Sequence, residues 1–86
     1  MDPVKVLQRA YQDELLDALR AEGAAQGVPY PHVRALLLEV ARRERAHAEA
    51  LAEALRRRGA PLPPTPKPEE GGWETLLRLL SEEGLD

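Results

Sequence analysis

Three ionisable side chains stand where a helical sequence normally carries apolar residues. Glu44 and His47 are spaced i and i+3, so on a helix they project from neighbouring points of one face. Glu14 lies as far before Pro29 as Glu44 lies after it, so a chain that reverses at Pro29 brings both carboxylates to one height. Carboxylates together with imidazole bind iron or manganese, and open coordination positions leave room for oxygen or peroxide. The spacing therefore predicts a metal site between two helices.

The apolar pattern places these residues on the inner faces of the helices. We define a seam as the line of positions reached by alternating three- and four-residue steps along a helix. In the second half of the chain the seam is Val33, Leu37, Val40, Glu44, His47, Leu51 and Ala54. In the first half it is Val4, Leu7, Tyr11, Glu14, Ala18, Ala21 and Ala25. Each seam thus carries at least one candidate ligand.

Capping residues predict two long helices joined by a short turn. Asp2 and Pro3 start a helix over residues 3–26, which Gly27 ends. A second helix is predicted over residues 31–58, with Pro31 at its first turn and Gly59 at its end. The predicted fold is all-α: an antiparallel helical hairpin followed by a short C-terminal helix.

Composition divides the chain into three segments. Residues 1–58 form the predicted hairpin, and residues 59–72 form a Pro-rich linker expected to act as a stiff spacer. Residues 73–86 have the leucine spacing of a short amphipathic helix, and Trp73 is expected to anchor it on the bundle.

Composition also excludes several classes of function. The chain has 86 residues and no Cys, which rules out thiolate metal centres and disulfides. A formal net charge of −3 argues against nucleic acid as a partner, and no stretch is long and apolar enough for a membrane span. The sequence start lacks the pattern of a signal peptide, so a cytoplasmic protein is predicted.

One hairpin cannot complete a dinuclear site, because it supplies only two carboxylates and one imidazole. Two hairpins related by a two-fold axis supply the ligand set of di-iron and di-manganese carboxylate bundles. Leu36, Leu37 and Leu38 in succession also make the second helix too broadly apolar for one partner helix. We therefore expect a homodimer or larger homo-oligomer that forms a four-helix bundle. The alternative is a metal-free helical scaffold or adaptor in which Glu44 and His47 fix the helix register.

Glu14 and the segment 33–49, which contains Glu44 and His47, resemble the first half of rubrerythrin-like and ferritin-like domains. The resemblance covers roughly the first 58 residues and is closest in plan to the half-length ferritins of encapsulin shells, in which one hairpin dimerises. It implies that Glu14, Glu44 and His47 are iron ligands of a di-iron centre shared by two chains. It further implies ferroxidase or peroxide-reducing activity.

Tyr11 precedes Glu14 by one helical turn. Core packing is the ordinary role of a tyrosine on such a seam. The alternative is that Tyr11 contacts the metal ligands from outside or takes part in redox chemistry.

Overall fold

A computed structural model describes residues 1–68 and 81–82 of the chain. Its main elements are helix α1, Pro3–Gly27, and helix α2, Pro31–Arg57, and the described residues contain no strand. Ala21 packs against Val40 and Ala41 at one level, and Ala25 packs against Leu37 nearer the connection. The two helices are therefore antiparallel, and the predicted all-α hairpin is confirmed.

Capping explains where α1 begins and ends. The Val4 backbone N–H donates a 2.9 Å hydrogen bond to Asp2 Oδ1, as the Asp-Pro start predicts. At the other end α1 continues through Gly27, one residue further than predicted. Val28 then takes an extended conformation with ψ 123°, because the residue before a proline is disfavoured in the helical region. Pro29 therefore ends the helix, and Gly27 is an ordinary helical residue.

Gly59 ends α2 as the sequence predicts. Its φ of 66° is the left-handed conformation that favours glycine. The Gly59 N–H donates to the Arg56 carbonyl at 2.9 Å, and the Ala60 N–H donates to the Leu55 carbonyl at 3.0 Å. This is a Schellman motif, which satisfies two carbonyls at the end of the helix and turns the chain back toward α1.

The core of the hairpin is built largely from alanine and leucine. On α2 the buried positions are Leu37, Val40, Ala41, Glu44, Ala48, Ala52 and Leu55. This line advances with the 3.6-residue period of a straight helix rather than the 3.5-residue period used for the predicted seam. The prediction that His47 lies on the buried seam is therefore wrong in detail: Ala48 is buried there, and His47 lies at the margin.

The register of the hairpin also differs from the prediction. Ala21 packs with Val40, and Ala25 packs with Leu37. Residues that face each other across the hairpin are therefore equally far along the chain from Tyr30–Pro31, and not from Pro29 as predicted. The connection, residues 28–30, is itself centred on Pro29, so the shift is a stagger of one helix along the other and not a displacement of the turn. Glu14 is thus nearer in height to His47 than to Glu44.

Residues 60–68, which we call the strap, run back along α1. Gln8 Nε2 donates to the Pro61 carbonyl at 3.0 Å, and Gln12 Nε2 donates to the Pro64 carbonyl at 3.2 Å. The partly buried strap residues recur every third position, at Ala60, Pro63 and Pro66. Three residues per turn is the period of a polyproline helix, so one face of the strap lies against the hairpin.

The predicted C-terminal helix over residues 73–86, with its anchor Trp73, lies almost wholly outside the described residues. Within that range the structure describes Ser81 and Glu82, and both are helical. Neither α1 nor α2 is long and apolar enough to span a membrane.

Candidate metal centre

Glu14, Glu44 and His47 meet in the interface between the two helices. One ligand-type atom from each lies within 4.8 Å of the others. His47 Nδ1 is 3.5 Å from Glu14 Oε2 and 3.6 Å from Glu44 Oε1. The structure therefore places the three residues singled out in the sequence within reach of one cation.

Burial falls steadily across this cluster. The Glu44 side chain is 11% exposed, the Glu14 side chain 31% and the His47 side chain 57%. Glu44 is the deepest because it lies on the buried line of α2, whereas His47 lies at the margin of that line. The cluster is thus anchored inside the hairpin and opens to one side of it.

The Glu14 carboxylate fits a metal ligand. Its Oε2 atom is buried and has no hydrogen-bond donor among the described residues, since the 3.5 Å approach of His47 lacks hydrogen-bond geometry. A buried carboxylate oxygen without a donor is costly, and a bound cation removes that cost. The donor set of two carboxylates and an imidazole also suits iron or manganese.

An ion pair that the sequence interpretation missed clamps α1 to α2 beside the cluster. Arg45 Nε and a terminal nitrogen of Arg45 donate to the two oxygens of Glu22 at 2.6 and 2.7 Å. This hydrogen bonding lowers the pKa of Glu22 below its ordinary value, opposed by partial burial and assisted by the positive charge of Arg45. No local signal marks the pair, because Glu22 and Arg45 are 23 residues apart.

The clamp fixes how α2 is rotated about its axis. Arg45 immediately follows Glu44, and residues one position apart on a helix point about 100° apart. When Arg45 reaches across to Glu22, Glu44 is held against α1 and His47 is held on the other side.

Tyr11 lies on the Arg45 side of the hairpin. It is partly buried and lines an open groove of about 360 Å³. The other lining residues are Leu15, Leu19, Arg45, Ala48, Glu49 and the strap residue Thr65. Packing against α2 accounts for its position, and contact with the metal ligands stays a prediction.

Comparison with known proteins identifies a family over most of the chain. The family model described as Rubrerythrin matches residues 5–72, which is more than half of the chain and includes all three residues of the cluster. Neither the curated proteins nor the solved structures gave a significant match.

Proposed function

The chain belongs to the rubrerythrin family, and from this premise we propose that it is a di-iron carboxylate protein whose metal site is completed between two chains. Glu14, Glu44 and His47 are the proposed ligands from each chain, and manganese is the alternative metal. The observation that carries the proposal is the convergence of their ligand atoms within 4.8 Å.

Charge supports a dinuclear site rather than a single ion. Each hairpin contributes two carboxylates to the cluster, so a pair of hairpins balances two divalent cations. Two chains also provide two single glutamates and two Glu-x-x-His pairs, the set found in di-iron bundles.

The exposure of His47 supports a partner chain. A metal-ligating imidazole that remained 57% exposed would leave the site open to water on one side. A second hairpin placed over that side covers both the imidazole and the partly exposed Glu14. The resulting four-helix bundle is the proposed assembly, as a homodimer or as the unit of a larger homo-oligomer.

The proposed activity is ferroxidase or peroxide-reducing chemistry. Iron, when bound, supplies electron exchange with oxygen or peroxide. Burial holds the Glu44 carboxylate in place. The Arg45–Glu22 clamp orients α2, which carries Glu44. Glu14 and His47 lie on the more exposed side of the cluster, so in the proposed dimer they face the ligands of the second chain. Tyr11 of α1 is proposed to contact the metal ligands from outside or to take part in the redox chemistry.

Anaerobic titration with ferrous iron tests the metal assignment. We expect about one iron per chain, two per dimer, and a loss of more than about 100-fold in affinity for His47→Ala, because loss of a direct ligand exceeds the usual cost of losing an outer contact. His32→Ala is the matched control, since His32 is the other histidine, is exposed and lies outside the cluster. Equal iron content in His47→Ala and the parent, measured by elemental analysis, contradicts the assignment.

A metal-free scaffold remains the second candidate because His47 lies between two carboxylates. A protonated imidazole 3.5 and 3.6 Å from Glu14 and Glu44 can act as a structural counter-charge without a metal. This function predicts no stoichiometric iron, and it predicts a loss of stability when His47 is replaced by alanine. The same titration, followed by thermal unfolding of the iron-free proteins, separates the two functions.

A further inference from the structure

The junction of α1 and α2 can be approached from two sides of the hairpin, and different side chains lie on each side. Arg45 and His47 are two residues apart on α2, as are Gln12 and Glu14 on α1. Residues two apart on an α-helix point about 200° apart, which is nearly opposite. The Gln12 and Arg45 side is therefore distinct from the Glu14 and His47 side. We call the first the strap side and the second the ligand side.

The chain itself covers the strap side. The two amide-to-carbonyl hydrogen bonds from Gln8 and Gln12 hold the strap along α1. Thr65 lines the groove together with Leu19 of α1 and Arg45 of α2, so the strap reaches the junction of the helices. The Arg45–Glu22 ion pair closes the same side further along.

The ligand side has no such cover among the described residues. His47 is 57% exposed there, although its imidazole faces two carboxylates. Ala54, seven residues after His47 and hence nearly in line with it, is only partly buried. Two turns from His47 on this side, the small side chain of Ala54 leaves room for another helix to approach closely.

We propose that the strap selects the pairing face of the hairpin, so that a second copy of this chain binds on the ligand side and not on the strap side. The inference rests on the proposed function, because that function requires two copies. A copy on the strap side displaces the hydrogen bonds of Gln8 and Gln12 and leaves the two clusters separated by the thickness of the hairpin. A copy on the ligand side keeps the strap in place and brings the two clusters together.

Thiol labelling of the full chain tests which side is covered, because the parent contains no cysteine. Ala54→Cys reports on the ligand side, and Leu19→Cys reports on the groove beside Thr65. Ala46→Cys, at an exposed position of α2, gives the rate without protection. Each variant is labelled over a range of chain concentrations that light scattering shows to span monomer and dimer.

The labelling rate at Ala54→Cys is expected to fall roughly tenfold as the dimer forms, because paired chains react only through the free fraction. The rate at Leu19→Cys is expected to stay low and independent of concentration, because the strap belongs to the same chain. A dimer that protects Leu19→Cys and leaves Ala54→Cys unprotected overturns this inference alone. A chain that stays monomeric with and without iron overturns the proposed function and this inference with it.

Replacing both glutamines tests the role of the strap directly. Gln8→Ala/Gln12→Ala in the Leu19→Cys background is expected to label several-fold faster and to form assemblies larger than the dimer, because a second side becomes available. Gln26→Ala is the matched control, an exposed glutamine on the last turn of α1. A double variant that labels like this control and remains a dimer shows that the strap does not select the face.

Discussion

The interface between α1 and α2 has a closed half near the connection and an open half around the ligand cluster. In the closed half Ala21, Val40 and Leu37 have no exposed surface, and they pack in clusters with Ala41, Ala25 and Val28. In the open half the buried apolar line continues through Ala52 and Leu55, but buried Glu44 interrupts it, and a Glu14 oxygen without a donor lies beside it. Helix geometry is the same in both halves, so the difference lies in the side chains alone.

This contrast separates the task of folding from the task of binding. Apolar burial in the closed half is favourable without any ligand or partner. The carboxylates of the open half are costly until something positive lies between them. Departures from apolar patterning are expected at functional sites, and here the most deeply buried carboxylate, Glu44, lies in the half that holds the cluster.

The largest effect is expected from Leu37→Ala, which truncates the largest fully buried side chain of the closed half. Leu37 is fully buried against Ala25 and Val28, so its loss should destabilise the fold by about 2–5 kcal/mol. The neighbouring Leu38→Ala is the control, because Leu38 is 49% exposed and should cost less than about 0.5 kcal/mol. Urea unfolding followed by circular dichroism measures both. Equal effects of the two variants would mean that the closed half does not hold the hairpin together.

Iron bound in the open half should raise the free energy of unfolding by somewhat less than the upper part of the range expected for Leu37→Ala. At free iron about 100 times the dissociation constant, binding to the folded state alone contributes about 2.7 kcal/mol. The ligands bind metal when deprotonated, so the rise in melting temperature should be largest near neutral pH and shrink as the pH falls. Thermal unfolding with iron and with chelator, repeated across pH, measures this. An identical melting temperature with chelator and with iron contradicts a metal site.

In the absence of metal, Glu44→Gln should stabilise the folded protein rather than destabilise it. Replacing one carboxylate of the cluster by an amide removes its repulsion with the other carboxylate and the cost of a buried charge. We expect a gain of about 1 kcal/mol without metal, together with weaker iron binding. Glu39→Gln is the control, since Glu39 lies outside the cluster and pairs with Arg42 and Arg43. Loss of stability in metal-free Glu44→Gln favours the scaffold function.

Glu22→Gln should have the smallest effect, since the Arg45 clamp is partly exposed. We expect a loss of about 0.5 kcal/mol at neutral pH, which is typical of such pairs. The pKa of Glu22 is lowered in the folded protein, so its contribution is present above the unfolded pKa. That contribution is lost as the pH falls through the folded pKa, and the parent and the variant should unfold alike once the pH lies below it. Urea unfolding over a series of falling pH values tests this, with Glu53→Gln as an exposed control.

The ends of the helices were predictable because their signals are local. Asp2 caps α1, Pro31 opens α2 and Gly59 ends it, as capping rules require. The closeness of Glu14 to Glu44 and His47 was predictable for a related reason, since a short connection limits the register of a hairpin, but the height match predicted for Glu44 fell to His47.

The remaining features depend on contacts that leave no local signal. The position of His47 at the margin follows from the small difference between a 3.5- and a 3.6-residue period, which accumulates along a long helix. The bonds from Gln8 and Gln12 to the strap join residues 53 and 52 positions apart. Proline content predicts an extended strap, but it does not indicate which surface the strap touches.

The period of the strap sets a rule for changes in its length. Inserting or deleting one residue within 60–68 rotates the following residues by about 120° and turns the face formed by Ala60, Pro63 and Pro66 away from α1. Three inserted residues restore that face one turn further along. In α1 the same insertions never restore the face so soon, because roughly seven residues are needed to return to one side of an α-helix. Length variation between related chains should therefore occur in steps of three along the strap and be nearly absent from the helix beneath it.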